Sequence, residues 1–123
     1  MSGLSQVRLE LAREKGHADG DGSHRYVMRL PLRADGRIDA AAWRDNQDAC
    51  VVHRFRPGED MAKGKLRHGP GGKWFVDYDD STDEDDETGF RLGEEVFASG
   101  EYVSIREDDG VMHTFRVVTV EEV

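Results

Sequence analysis

The amino-acid sequence predicts a mainly β fold. The expected form is a single-domain antiparallel barrel or open barrel of about 7–8 short strands with one short helix. Three observations lead there. Apolar residues recur with period two through most of the chain, which is the strand period. Turn signals follow one another at spacings of roughly 8–15 residues. Only one short stretch has helix-forming composition. With 123 residues, 37% of them hydrophobic, the chain is long enough to bury a core without disulfides or metal.

The elements follow in order. Val7, Leu9 and Leu11 alternate with Arg8, Glu10 and Ala12, so Val7–Arg13 reads as a half-buried strand. Gly16, Gly20 and Gly22 with Asp19, Asp21 and Ser23 form a loop by turn chemistry. Tyr26, Met28, Leu30 and Leu32 alternate with Arg25, Val27, Arg29 and Pro31 in a second strand. Pro31 has no N–H to donate, which places that stretch at a sheet edge or strand end. Asp39 through Gln47 is the helix, with Asp39 as N-cap, three alanines behind it and Trp43 packing it on the sheet.

Strands resume at Ala49–Arg56. Lys63–His68 and Lys73–Tyr78 flank Gly69-Pro70-Gly71-Gly72, a hairpin signal. An acidic loop, 79–89, comes next, then a short strand near Glu95–Phe97. The last pair, Glu101–Arg106 and Val111–Val120, is joined through Asp108-Asp109-Gly110, where Asp-Gly suits a type I′ turn. The expected core is Val7, Leu9, Leu11, Tyr26, Met28, Leu30, Trp74, Val76, Val103, Ile105, Phe115 and Val117. There is no internal repeat and no linker, so residues 1–123 form one domain.

Charge is segregated. The net charge is −9, and charged residues make up 35% of the chain. Seven acids and no base lie between Asp79 and Glu87: Asp79, Asp80, Asp83, Glu84, Asp85, Asp86 and Glu87. Just before them come Arg54, Arg56, Lys63, Lys65, Arg67 and Lys73, against only Glu59 and Asp60. The overall acidity argues against nonspecific nucleic-acid binding, which rests on neutralising phosphates with Lys and Arg. Cys50 is the only cysteine, so no intrachain disulfide is expected. No apolar run reaches signal-peptide or membrane-span length, so a cytoplasmic location is expected, without membrane contact.

Trp74-Phe75-Val76-Asp77-Tyr78, the acidic run, Gly100-Glu101-Tyr102-Val103-Ser104-Ile105 and His113-Thr114-Phe115-Arg116-Val117 together resemble a small uncharacterised bacterial protein family. The resemblance covers most of the chain after Ala49. It implies a soluble β domain and no particular chemistry.

Four clusters are candidates for chemistry. The acidic residues 79–87 and the basic hairpin Lys63, Lys65, Arg67 and Lys73 present opposite charges to a protein partner or to each other. That makes a non-enzymatic binding module, without a cofactor, the leading reading. The alternative is a metal-binding protein or metal-dependent hydrolase. By strand alternation His53 shares a face with Val51 and Phe55, His68 with Leu66, and His113 with Phe115 and Val117. Three converging imidazoles would bind a divalent metal and leave a position open for water. A small-ligand barrel is the third class and requires a cavity.

The remaining signals are weaker. The loop His17–His24 fails as a calcium loop: with Gly22 as its glycine, His17 takes the first ligand position and Met28 the place of the bidentate glutamate. Trp74 beside the basic hairpin suits base stacking, but its alternation with Val76 and Tyr78 assigns it to the core. Cys50 and His53 fall on opposite strand faces, which excludes a Cys–His dyad. No phosphate-cradling glycine loop opens a helix.

Overall fold

The computed structural model describes residues 4–12, 21–68, 74–78, 87–89, 95–107 and 110–123. The strands are β1 (Leu4–Leu11), β2 (Asp21–Pro31), β3 (Val51–Phe55), β4 (Ala62–His68), β5 (Trp74–Tyr78), β6 (Glu87–Gly89), β7 (Tyr102–Arg106) and β8 (Met112–Glu122). One helix, α1 (Ala40–Asp45), and a 3-10 turn at Gln47–Ala49 lie between β2 and β3. Each strand pairs antiparallel with the next, and β8 returns to pair with β1, closing the sheet into a barrel. The weakest seam is β6–β7, joined by the single register pair Thr88↔Arg106. No helix among the described residues is long and apolar enough to cross a membrane.

Closure sorts side chains by parity, because successive residues of a strand point to opposite faces. Val7, Leu9 and Leu11 of β1, Tyr26, Met28 and Leu30 of β2, and Phe115 and Val117 of β8 fill the interior. Val52, Leu66, Trp74, Val76, Val103 and Ile105 complete the ring. All twelve expected core residues are buried; Cys50, Val52, Leu66, Tyr78 and Phe97 join them. Bulges lie between Arg8 and Leu9 against β8, and between Glu10 and Leu11 against β2. Such extra residues bend strands enough to curl a small barrel.

The barrel has two unlike ends. At one, Asp39 caps α1 by accepting from the Ala42 N–H at 3.1 Å, and Trp43 reaches in to donate its indole N–H to the Leu66 carbonyl at 2.9 Å. Trp43 meets Trp74 edge to face at 5.1 Å, and His68 stacks on Trp74 at 4.2 Å. Phe97 buries itself there too, held by its N–H to the Gly36 carbonyl at 2.8 Å. Gly36 has φ 86°, and a Cβ there would lie 2.9 Å from the Val96 side chain. The other end, where β2, β4, β6 and β8 begin, is the mouth.

Several boundaries differ from the sequence expectation. The helix is shorter than Asp39–Gln47, because the Asn46 side chain and N–H turn back onto the carbonyls of Ala42 and Trp43. Glu95–Phe97 is not a strand; Phe97 is drawn into the core end instead. The strand in this region is Glu87–Gly89, at the close of the expected acidic loop, and it pairs with Trp74–Val76. The β7–β8 connection is wider than a two-residue turn. Its hydrogen bonds run from Glu107 N–H to Val111 O and from Gly110 N–H to Glu107 O, with Gly110 at φ 77°.

Gly64 of β4 lies opposite Tyr78 of β5 at close approach: a Cβ there would stand 2.6 Å from the Asp77 carbonyl oxygen. Backbone cannot yield there as a flexible side chain would. Gly64→Ala is expected to cost about 1–3 kcal/mol by overpacking. Urea unfolding of the variant checks this, and an unchanged midpoint would show that the strands separate freely.

Candidate functional site

Two polar constructions stand out, one inside the mouth and one on the outer wall. Inside, Glu107 follows β7 and is 4% exposed. Its Oε2 accepts from the Tyr26 hydroxyl in a short hydrogen bond, from His24 Nε2 at 3.0 Å and from Arg56 Nη2 at 3.0 Å. Its Oε1 faces His113 Nε2 at 3.5 Å. An ionised carboxylate only accepts, so the His24 ring nitrogen facing it carries the proton. Phe115 packs edge-on against Tyr26 at 5.0 Å and His24 at 5.4 Å. Arg54, also inward, lies 4.6 Å over the Tyr78 ring.

Burial alone would raise the Glu107 pKa. The hydrogen bonds from His24, Tyr26 and Arg56 and the charge of Arg56 outweigh it and hold the carboxyl at about 2. Glu107 therefore ties the β7–β8 turn across the mouth to β2 and β3. Its remaining exposure is small and its oxygens are fully engaged, so the arrangement closes the barrel rather than offering a free base.

The outer wall of β2, β3 and β4 is different. Arg25 and Arg29, then His53, then Lys63, Lys65 and Arg67 point outward, since Tyr26, Met28, Val52 and Leu66 point in. From Arg25 to Pro31 of β2, and throughout β3 and β4, there is no carboxylate. Acids border the wall: Glu10 is the register partner of Arg25, Asp48 lies 3.4 Å from Lys65, and Asp77 lies 3.9 Å from Arg67. Arg25 lies 4.2 Å over the Phe55 ring. Between the strands runs a groove of about 200 Å³ lined by Gln6, Val27, Arg29, Val51, His53 and Lys63. Burial first, then Lys63 and Arg29, push the His53 pKa below its ordinary value.

The three histidines do not converge. The β2–β3 register pairs Met28 with Val52 and Val27 with His53, so Val52 takes the interior and His53 the outer wall. His68 lies at the helix end against Trp74, and His113 lies at the mouth beside His24, ring centroids 6.0 Å apart. Among the described residues, no group of three or more His, Cys, Asp or Glu side chains is placed to hold a metal ion. Cys50 is buried, which pushes its thiol up to about 11 and leaves it a poor nucleophile.

Of the expected partner-binding residues, Lys63, Lys65 and Arg67 share the outer face of β4. Lys73 and the acids Asp79, Asp80, Asp83, Glu84, Asp85 and Asp86 lie outside the described residues, and Glu87 opens β6. Of the His17–His24 loop, residues 17–20 lie outside the described residues, while His24 is a β2 residue bonded to Glu107. Glu107 carried no sequence signal, because it reads as one more acid beside Asp108-Asp109-Gly110. Arg54 and Arg56 alternate with Val52, and the β2–β3 register, not the sequence, turns that face inward. No family model, curated protein or solved structure matches the chain.

The Glu107 pKa sets a sign for stability. Its folded value is about 2 against an ordinary 4.5, a contribution of about 3 kcal/mol. A lowered carboxyl stabilises fully above its unfolded pKa and loses that contribution as pH falls through the folded one. Glu107→Gln is therefore expected to be less stable than the parent from neutral pH down to about 4.5, with the gap narrowing toward about pH 2. Denaturant melts of both proteins across this range check it. A gap independent of pH would show that the carboxylate charge is not what ties the mouth.

Proposed function

We propose that the protein is a non-enzymatic binding module that docks an acidic segment of a protein partner on the outer wall of β2–β4. One observation carries the reading. Arg25 and Arg29 of β2 and Lys63, Lys65 and Arg67 of β4 line one outer face of a chain whose net charge is −9, and no carboxylate lies from Arg25 to Pro31 or in β3 and β4. Like charges side by side on a sheet repel. A face that keeps them together is suited to an opposite charge from outside. Val27, Val51 and the Phe55 ring add apolar contact between the cations. The acidic remainder of the surface disfavours a polyanion as long as a nucleic acid, while a short acidic peptide meets only the basic wall.

The test uses the full chain and a short glutamate-rich peptide followed by amide NMR. Saturable shifts on the outward residues of β2–β4 are expected, weakening several-fold between about 50 and 200 mM salt. The pair Arg29→Glu and Lys63→Glu should abolish them without changing the melting curve, since both side chains are exposed. Shifts elsewhere, or tighter binding of a single-stranded oligonucleotide at the same wall, would refute the reading.

A further inference from the structure

The basic wall holds a discrete feature at its centre, and its interpretation rests on the acidic-partner reading above. His53 is the register partner of Val27 on one side and of Lys63 on the other. Arg29 and Lys63 flank it along the groove, Val27 and Val51 give an apolar floor, and the Gln6 amide closes one edge. We propose that this groove is a subsite for a phosphomonoester carried on the partner protein, a phosphorylated side chain, and that His53 binds a proton from solvent when the phosphoryl group enters.

Charge and donor count favour a phosphoryl group over a carboxylate. The groove offers a guanidinium, an ammonium and an imidazole, with no carboxylate among its lining residues. A carboxylate brings one charge and two oxygens. A phosphomonoester brings a charge of about −1.5 to −2 at neutral pH and three acceptor oxygens, enough to engage all three groups. Arginine matches two of those oxygens at once, and lysine serves as a point charge.

The proton follows from the same geometry. The groups facing His53 are Gln6 from β1, Val27 and Arg29 from β2, and Lys63 from β4. The next residue outward in the row is Arg8, opposite Val27, which already binds Glu10 at 3.0 Å. In the free protein, burial and the two cations disfavour imidazolium. A bound dianion reverses the local potential and favours it. Folded-state phosphoryl affinity should then fall as pH rises through the raised pKa of bound His53.

The experiment compares two short acidic peptides of equal net charge, one with glutamates only and one in which a phosphoserine supplies part of the charge. Binding to the full chain is measured at about pH 6.5 and 8, and His53 is titrated by NMR with and without each peptide. The phosphopeptide is expected to bind about threefold tighter at the lower pH and to raise the His53 pKa by about one unit, the two being linked. The glutamate peptide should leave His53 nearly unmoved. His53→Gln should remove the pH dependence, and Arg29→Gln or Lys63→Gln should remove the preference for the phosphopeptide.

Equal binding of both peptides with a static His53 would overturn the phosphoryl subsite while leaving the docking wall intact. Binding of neither would overturn both. Inorganic phosphate that matches the phosphopeptide in affinity and in its effect on His53 would overturn a partner-borne source. So would an equally charged oligonucleotide that binds more tightly and shifts His53.

Discussion

The return of β8 to β1 is the constraint on which the rest of the molecule depends. Once the ladder closes, each residue must face either a packed interior or solvent, and the two sets alternate without exception along a regular strand. β1 is held on both edges, by β2 and by β8, and its Val7 and Leu9 have no exposed surface at all. A slip of one residue in any strand would exchange a buried apolar set for a charged one. In β3 that would bring His53 inside and put Val52 in water; in β4 it would bury Lys65. The cost of burying an unpaired charge keeps the register where it is.

The same sorting divides the basic residues of the sequence into two populations with different fates. Arg54 and Arg56 share the parity of Val52 and are drawn toward the interior. They are tolerable there because Glu107, the Tyr78 ring and the Glu59 carboxylate, 3.9 Å from each guanidinium, surround them. Arg25, Arg29, Lys63, Lys65 and Arg67 take the opposite parity. They remain hydrated and form a positive wall on an acidic protein. The mouth is thus a satisfied, closed arrangement that consumes its charges internally, while Arg29 and Lys63 of the wall are exposed. That contrast supports the proposal of binding at the wall and structural closure at the mouth.

The two ends of the barrel use different chemistry for the same task. The helix end is plugged by aromatic packing of Trp43, Trp74 and Phe97, with the Trp43 indole N–H donated to the Leu66 carbonyl. The mouth is tied by one carboxylate that gathers donors from β2, β3 and the start of β8. Aromatic packing is insensitive to pH. A carboxylate tie is lost when it is protonated, so acid is expected to act first at the mouth.

Alternation of apolar residues determined, from the sequence alone, the β class, the twelve core positions and the antiparallel hairpins. Local spacing is sufficient for these because strand period and turn chemistry act over a few residues. The N-cap at Asp39 and the burial of Trp43 were legible for the same reason. Sequence alternation also separated His53 from Val52, but it could not say which of the two faces lay inside, because both carry apolar residues. Only the pairing of β3 with β2 decided it, by setting Val52 against Met28. Likewise Glu107 and Tyr26 are joined across 81 positions of sequence, and only closure of the barrel brings them together. The basic wall was visible in part, in the Lys63–Arg67 stretch; Arg25 and Arg29 join it because β3 pairs with both β2 and β4, a neighbour relation that no local pattern encodes.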